Sequence, residues 1–443
     1  MALGYTALAG TFCLVRYHLF IATGWDLGFY QQGLWALASH GPSAMSSWGG
    51  YPVLARNAAW LLWPLAYPYR VFGVGFLLAL QAFAYGVGYY FLFDIGDSLG
   101  LSWERLRLLG WIYVLSPLAW GATLFDFHPS LLAVPLILAA YASFLRRRYP
   151  AAAAWFGIAL ATHFLVALVG VAAGVVLIMR RNWEAGLLTC LASGAVLVLD
   201  ASLVHRLDPH QWLPVVAYWG SHIGHWSHDF MAGVHRVRTW LYLIWVMVPI
   251  LLFGVRPRAV LWFIPVLAVL VLNISSTNLA PTSPFNQYSV LVIPFIMLAC
   301  AESLQGTAST LKFQAMRLGV YMAFLLVFFG HEASLRHEIL PSGQAVALAD
   351  AIKDVPPGVP VFTQNFLAPH VANRSDMQLL QPNQTFPAGS YVILDTAHST
   401  GVSSTALVGG DVGLLTHQGH VVYASSGIYV FRVPDRTKGV ANS

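Results

Sequence analysis

A carboxylate stands where the first apolar run of the chain ends. Asp26 lies between Gly24 and Gly28, directly before residues 29–37, which have helical character. At a membrane edge such a carboxylate can serve as a general base or a metal ligand toward a lipid-linked substrate. It can also be a solvated helix end, or the N-cap of the helix over 29–37. The sequence leaves these interpretations open.

A second acid and an imidazole lie among aromatic side chains in a short turn. The turn is residues 125–129, Phe-Asp-Phe-His-Pro, and its polar members are Asp126 and His128. The aromatic neighbours fit a pocket lining, in which burial and pairing tune the acid. An Asp–His pair that closes a tight turn between two helices explains the pattern equally well. His163, between two further apolar runs, is likewise open to a functional or a structural role.

Three histidines recur at intervals of three residues. His222, His225 and His228 would fall roughly on one side of a helix, and imidazole is a common metal ligand. Trp219 and Trp226 interleave with them, which is also typical of an amphipathic helix at a membrane surface. A divalent metal is the only cofactor that the sequence suggests.

Five arginines lie in loops that the topology below places outside the membrane. A guanidinium matches the oxygens of a phosphate, so these side chains are candidates for binding a lipid-linked phosphate. Contact with water or with lipid headgroups accounts for them as well. They are Arg56, Arg70, Arg206, Arg236 and Arg238.

The composition identifies the elements that carry these residues. Of 443 residues, 58% are hydrophobic and 9% are charged, whereas soluble proteins carry roughly 25% charged residues. Apolar runs long enough to span a bilayer recur up to residue 331, and the 16 Trp and 19 Tyr suit interfacial positions. The net charge of +5 comes from short basic clusters between these runs. Their placement is explained by the orientation of the spans in the membrane, so no nucleic-acid partner is expected. The chain is predicted to be a multi-pass protein of the plasma (cytoplasmic) membrane.

We predict about eleven membrane spans within residues 1–335. They cover roughly 2–22, 72–93, 107–123, 130–146, 150–163, 164–180, 184–203, 238–254, 259–273, 288–304 and 317–331. One set of loops carries most of the Lys and Arg, and that set is expected on the cytoplasmic side. The N-terminus is then cytoplasmic and the C-terminus extracytoplasmic. The cations that decide this are Arg105, Arg107, Arg146, Arg147, Arg148, Arg180, Arg181, Arg256, Arg258, Lys312 and Arg317.

Residues 336–443 are predicted to form a small extracytoplasmic α/β domain. Pro, Gly, Asn and Asp recur there at turn spacing, with β-branched runs between them. The pattern predicts one helix and four strands, the last two as a hairpin. The helix covers 345–353, and the strands cover 359–363, 391–394, 420–423 and 428–433.

Several segments resemble the uncharacterised prokaryotic membrane proteins of domain-of-unknown-function family 2079. The family opens with Tyr-Asp-Leu-Gly-Ile-Phe-Asp-Gln-Ala-Leu-Trp, and residues 25–35 read Trp-Asp-Leu-Gly-Phe-Tyr-Gln-Gln-Gly-Leu-Trp. Its Phe-Asp-Phe-His-Pro matches residues 125–129. Its tail patterns Pro-Pro-Gly-Ala-Pro-Val and Asn-x-Leu-x-Pro-His are similar to residues 356–361 and 365–370. The layout also resembles the GT-C superfamily of polyprenyl-phosphate-dependent glycosyltransferases.

The resemblance implies a GT-C-like fold and a role for the candidate residues. In that superfamily the acid of the first outer loop is the catalytic base or a metal ligand, and this role falls on Asp26. Asp126, His128, Gln31 and His163 would line the pocket or support the site, and an outer arginine would hold the phosphate.

The chain also departs from the family pattern where ionisable residues are expected. Gln31 replaces the second acid of the opening motif, and Thr162-His163-Phe164 replaces Lys-Glu-Asp. Gln287 stands where the family has a His before the late Tyr, and residues 50–57 lack a recognisable Gly-Asp-His-Phe-Ser.

Three hypotheses about function follow. The leading one is a membrane glycosyltransferase that moves a sugar from a polyprenyl-phosphate donor to an acceptor on the outer face. The missing acids favour a second, a non-catalytic relative that binds a lipid carrier or an envelope protein. The third is a transporter with broken helices at the midplane, which only a few prolines suggest: Pro117, Pro135, Pro265 and Pro294.

Overall fold

The computed structural model divides the chain into two compact units. The first comprises residues 1–13, 54–64 and 75–332, and the second comprises 14–53, 65–74 and 333–443. The second unit thus joins a segment of the predicted first outer loop to the C-terminal residues. The division into domains 1–335 and 336–443 stays a prediction. The structure describes residues 1–48, 50–207, 225–253, 256–305, 311–334, 340, 342–381, 383–397 and 405–434.

Helices dominate the described residues up to Ser334, because these runs are rich in Leu, Ala and Val. Pro117 and Pro129 each open a helix, where a missing N–H costs no hydrogen bond. The α-helices are Ala2–His18, Phe29–His40, Leu62–Ser98, Trp103–Val114, Pro117–Phe125, Pro129–Leu145, Tyr149–Leu160, Phe164–Met179, Trp183–Leu207, Trp226–Val234, Val237–Phe253, Phe263–Ile274, Ile293–Leu304 and Leu311–Ser334. Helical turns of the 3₁₀ type cover Ala259–Trp262, Ala280–Thr282 and Gln287–Val292.

Several helices are long and apolar enough to cross a membrane, which confirms the general architecture. Among the described residues, five pass by length and composition: Leu62–Ser98, Trp103–Phe125, Trp183–Leu207, Gln287–Leu304 and Phe313–Gly330. A sixth would be Trp226–Val234 with Val237–Phe253, which meet at a bend of 79°. Four shorter apolar helices are Pro129–Leu145, Tyr149–Leu160, Phe164–Met179 and Ala259–Ile274. The figure of eleven spans and their orientation stay predictions.

Small residues allow two helices of the first unit to pack closely. A Cβ on Gly170 would meet the Ser193 hydroxyl at 2.4 Å, and one on Gly174 would meet the Cys190 sulfur at 2.5 Å. Such small-residue contacts let membrane helices approach closely. Helices Phe164–Met179 and Trp183–Leu207 therefore pack antiparallel along their length.

The second unit contains a five-stranded mixed sheet in the order β2-β1-β3-β5-β4. The strands β2, β1 and β3 are parallel, and β3, β5 and β4 are antiparallel. A core of seven buried side chains packs on it: Phe362, Leu380, Val392, Leu394, Val408, Leu415 and Phe431. The strands are β1 Val361–Thr363, β2 Met377–Leu379, β3 Tyr391–Asp395, β4 His420–Ser425 and β5 Ile428–Arg432.

The predicted hairpin is confirmed, with a two-residue turn between β4 and β5. Ser426 and Gly427 both have positive φ, 55° and 78°, as the tight turn of a hairpin requires. The predicted helix over 345–353 is observed as Ser342–Lys353, and the four predicted strands are found within a few residues. The sequence reading missed β2 and the helices Ala368–Val371 and Thr405–Gln418.

Part of the predicted first outer loop packs on β2, the edge strand of the sheet. The Ser47 hydroxyl donates to the Met377 carbonyl at 2.9 Å, and the Met377 N–H donates to that hydroxyl at 3.1 Å. An open sheet edge carries unpaired backbone groups, and this reciprocal pair satisfies two of them.

Candidate functional site

Asp26 lies on a short π-helical turn, Gly24–Gly28, that precedes helix Phe29–His40. The Gly28 N–H donates to the Thr23 carbonyl at 3.1 Å, five residues back. The N-cap position of the following helix is Gly28, and no side chain caps it. The half-buried Asp26 is therefore not the N-cap of that helix. Single π-helical turns are rare and occur frequently at functional sites.

The C-terminal segment of the second unit holds this turn through Asn365. The Gly24 N–H donates to the Asn365 carbonyl at 2.8 Å and to its side-chain Oδ1 at 3.0 Å. The Trp25 N–H donates to the same Oδ1 at 3.2 Å. The first N–H groups of a helical turn lack partners within it, and here a residue 340 positions later supplies them.

Two glycines allow the turn to lie directly against its neighbours. A Cβ on Gly24 would stand 2.8 Å from the Ala368 Cβ and 2.9 Å from the Trp48 ring. A Cβ on Gly28 would stand 3.2 Å from the same ring and 3.3 Å from the Pro369 nitrogen. Both contacts involve the helix Ala368–Val371, so the Asp26 turn and this helix form one packed cluster.

Aromatic stacking and a buried cation continue the same cluster. The His370 ring stacks between Tyr17, at 4.3 Å, and Phe20, at 3.9 Å. Burial, with a smaller effect of the nearby His18, lowers the pKa of His370 to about 3. Arg374 is also buried and donates to the Val371 carbonyl at 2.6 Å, and burial lowers its pKa to about 10.

Gln31, which replaces an acid of the family pattern, lies in the second unit together with Asp26. It is 2% exposed and its side chain bonds to the Tyr17 hydroxyl. The next residue, Gln32, accepts from the Ser46 hydroxyl at 2.9 Å. These amides make neutral hydrogen bonds where a carboxylate would bring a buried charge.

Asp126, His128 and His163 lie in the first unit. Asp126 is 4% exposed and has extended backbone directly after helix Pro117–Phe125. The His128 Nδ1 pairs with the Ser130 hydroxyl at 2.7 Å, and its ring centroid lies 5.5 Å from that of His163. The His163 Nδ1 accepts from the Leu165 N–H at 3.2 Å and so caps helix Phe164–Met179.

Both imidazoles are held in the neutral form. Burial, followed by the neighbouring His163 and the Arg56 guanidinium, holds the pKa of His128 well below its usual value. Burial alone lowers the pKa of His163 to about 3. Each is therefore uncharged at neutral pH and can exchange hydrogen bonds, but it is a weak proton acceptor.

Residues 56–61 form a loop that is hydrogen-bonded to the turn containing His163. The Asn57 carbonyl accepts from the Phe164 N–H at 3.0 Å, and the Leu61 N–H donates to the Ala161 carbonyl at 2.8 Å. These bonds bring Arg56, a phosphate-binding candidate, into the electrostatic range of His128.

Asp200 is a candidate that the sequence reading missed. It lies in the apolar helix Trp183–Leu207, is 1% exposed, and accepts from the Trp60 indole N–H at 2.6 Å. Its second oxygen has no hydrogen-bond partner among the described residues. The signal was present in the sequence, because a lone carboxylate within a membrane-spanning run is a functional suspect by default.

The remaining arginine candidates differ in exposure. Arg236 is half-buried and donates to the Ser276 carbonyl at 3.1 Å. Arg70, Arg206 and Arg238 are exposed. Phosphate binding by any of these side chains stays a prediction.

The histidine triad is only partly described. His222 lies outside the described residues, His225 precedes helix Trp226–Val234, and His228 is exposed with its Nδ1 3.5 Å from the Asp229 carboxylate. Within the described ranges, no three His, Cys, Asp or Glu side chains are grouped as metal ligands would be. Metal binding at the triad stays a prediction.

The predicted site residues therefore fall into two groups. Asp26 and Gln31 belong to the second unit, whereas Arg56, Asp126, His128 and His163 belong to the first. The expectation that Asp126 and His128 line or support the site of Asp26 stays a prediction.

The fold is that of a mostly helical membrane protein with a small sheet in its C-terminal region. It is similar to two crystal structures of ArnT from Cupriavidus metallidurans, a GT-C glycosyltransferase, one bound to undecaprenyl phosphate and one in the apo state. Their TM-scores are 0.55 and 0.54, each at 15% identity, covering 97% of this chain and 98% of that one. At this identity the likeness establishes the fold alone.

The family is established by a separate match. The model of a family described as predicted membrane protein DUF2079 matches residues 16–405, so the chain belongs to that family. The resemblance noted from the motifs is thereby confirmed. No curated protein matches the chain.

Proposed function

We propose that the protein is a GT-C-like glycosyltransferase that moves a sugar from a polyprenyl-phosphate donor to an acceptor on the outer face of the membrane. The observation that supports this most is the whole-chain likeness to ArnT, whose structure includes undecaprenyl phosphate. Asp26 adds support, because it is a half-buried carboxylate on a rare turn that two parts of the chain hold in place.

Asp26 would act as the general base. It would take the proton of an acceptor hydroxyl while that oxygen forms a bond to the anomeric carbon of the donor sugar. The bond between this carbon and the phosphate oxygen breaks, and the polyprenyl phosphate leaves with the electron pair. Arg56 would hold the phosphate, with Arg206, Arg236 and Arg238 as the other candidates.

The neutral imidazoles of His128 and His163 would donate or accept hydrogen bonds without changing the charge of the site. Asp126 would support the pocket. The orientation proposed here places the N-terminus in the cytoplasm and residues 336–443 outside. If Asp26 instead binds a divalent metal, turnover will depend on that metal, and titration with a chelator and added Mg²⁺ or Mn²⁺ separates the two roles.

The test compares wild type with Asp26→Asn on purified protein and a panel of polyprenyl-phosphate sugars. Asparagine keeps the size of the side chain and removes the proton acceptor. A general base contributes about 10²–10⁴-fold, so turnover should fall by at least about 10²-fold. Asp376→Asn is the matched control, because Asp376 is another half-buried aspartate of the second unit. Equal transfer by wild type and Asp26→Asn would remove Asp26 from the mechanism.

A second function is favoured by the replaced acids. Gln31 is a buried, uncharged amide, and burial holds His163 neutral, at positions where the family pattern has charged residues. These observations support a non-catalytic relative that binds a lipid carrier or an envelope partner. It predicts retention of polyprenyl phosphate with no transfer by wild type.

A further inference from the structure

We infer that Asn365 is a positioning residue for Asp26. Its backbone and side-chain oxygens fix the N-terminal end of the π-helical turn that carries the carboxylate. The catalytic part of this inference rests on the proposed function, whereas the contact itself does not.

The hydrogen bonds identify the atoms that do the positioning. Asn365 Oδ1 accepts from two consecutive backbone N–H groups, Gly24 at 3.0 Å and Trp25 at 3.2 Å. These groups immediately precede Asp26. Because the side chain acts only as an acceptor here, it performs the task of an N-cap from a distant part of the chain.

Close packing gives the turn little freedom to move away from this acceptor. Gly24 lies so near Ala368 and Trp48 that even one added methyl group would overlap them, and Gly28 is tightly placed against Trp48 and Pro369. The hydrogen bonds to Asn365 orient the turn, and the packing contacts limit how far it can move. Residues 365–369, together with Trp48, thus fix the backbone from which the Asp26 side chain extends.

Catalysis is sensitive to such placement. A general base must lie within hydrogen-bond reach of the proton it removes, and a shift of about 1 Å can cost on the order of 10²-fold in rate. Loss of the Asn365 acceptor should therefore lower kcat more than it raises KM, because the binding of the donor does not use this contact.

Two substitutions at position 365 separate positioning from general destabilisation. Asn365→Leu removes the acceptor at similar size, and Asn365→Asp keeps it. The added carboxylate would accept from the backbone of Gly24 and Trp25, which adjoin Asp26 in the chain, and a like charge nearby raises the pKa of a carboxyl group. Asn365→Asp should therefore keep most of its maximal turnover while the acid limb of its pH profile moves to higher pH.

The experiment uses the full chain in detergent or nanodiscs. Amide hydrogen exchange at Gly24 and Trp25 reports the contact without any substrate, and steady-state kinetics and pH profiles report catalysis. We expect Asn365→Leu to exchange faster at Trp25, which donates to the side-chain Oδ1, and less so at Gly24, which keeps the backbone carbonyl of residue 365 as an acceptor. The variant should lose about 10–10²-fold in kcat. Asn373→Leu is the control, because Asn373 bonds to Tyr69 and not to the turn; it should leave both amides protected.

The outcomes are distinct. Unchanged exchange and kcat in a folded Asn365→Leu protein would overturn the inference. An Asn365→Asp protein that keeps both amides protected but shows no shift in the acid limb of its pH profile would also overturn the inference. The contact would then be present without any effect on Asp26. If wild type transfers no sugar, the proposed function fails, and the exchange data alone decide whether Asn365 fixes the turn.

Discussion

The carboxylate of Glu302 should be one of the most sensitive points of the first unit. Arg180 forms a two-pronged ion pair with it, with one N–H···O distance of 2.6 Å, and the Trp262 indole N–H donates to it at 2.9 Å. Glu302 is 7% exposed, and the Arg180 guanidinium lies 4.8 Å from the centre of the Trp262 ring. The predicted change is Glu302→Gln, which keeps the shape and removes the charge.

The burial of the Arg180–Glu302 pair determines how much stability Glu302→Gln should cost. Removing one partner of a buried ion pair leaves the other charge uncompensated and costs about 3–5 kcal/mol. An exposed pair is worth about 0–1 kcal/mol. Arg146 and Asp94 provide the comparison, since they pair at 3.0 Å while the Asp94 side chain is 48% exposed. Glu302→Gln should therefore lower the free energy of unfolding by at least about 2 kcal/mol more than Asp94→Asn does.

Equilibrium unfolding in mixed micelles with increasing SDS measures both variants on one scale. Replacing both members of the pair, Arg180→Met with Glu302→Leu, should recover much of the loss, because no buried charge is then left alone. If Glu302→Gln and Asp94→Asn cost the same, and each less than about 1 kcal/mol, the Arg180–Glu302 pair is solvated and the reasoning from burial is refuted.

Two predictions concern the second unit. Gly24→Ala should destabilise it by about 1–3 kcal/mol through overpacking, as measured by the same unfolding assay. Gly4→Ala is the control and should have no such effect, since a Cβ there meets nothing within 4 Å. Equal stability of the two variants would contradict the tight contact at Gly24. The pKa of His370 falls from 6.5 to about 3 on folding, so the unfolded chain binds more protons between these values. Stability from this group is full above about pH 6.5 and is lost toward pH 3, by up to about 1.4 kcal/mol per unit, and His370→Phe should reduce that slope.

The helical architecture could be predicted because hydropathy and charge act locally. An apolar run of membrane length has few alternatives to a helix, since each backbone group must be satisfied within it. The strands of the C-terminal region were also predictable where β-branched residues and turns were dense. Helix Thr405–Gln418 was missed because it contains Gly409, Gly410 and Gly413, which disfavour helices. Its Val408 and Leu415 pack in the sheet core, so tertiary contacts override that propensity.

The candidate site was predictable only in its parts. Asp26 and Asn365 both lie in motifs that resemble the family pattern, but the bond between their segments joins positions 341 residues apart. No local pattern encodes such a pairing. Asp200, by contrast, could have been predicted as a candidate from the sequence alone, because it is a carboxylate within an apolar run. The environment of His163 also required the structure, since its low pKa follows from burial that spacing alone does not reveal.

The neutral state of the two imidazoles bears on which function the chain can perform. A transferase needs a proton acceptor of adequate strength, and an imidazole whose pKa is about 3, as in His163, is a weaker base than an ordinary carboxylate. Burial thus makes His163 a poor substitute, as a proton acceptor, for a carboxylate in this segment. The transferase proposal consequently depends on Asp26, whose turn is held in a defined position. A binding protein has no such requirement, because neutral imidazoles and an arginine can hold a phosphate or a hydroxyl group without any proton transfer.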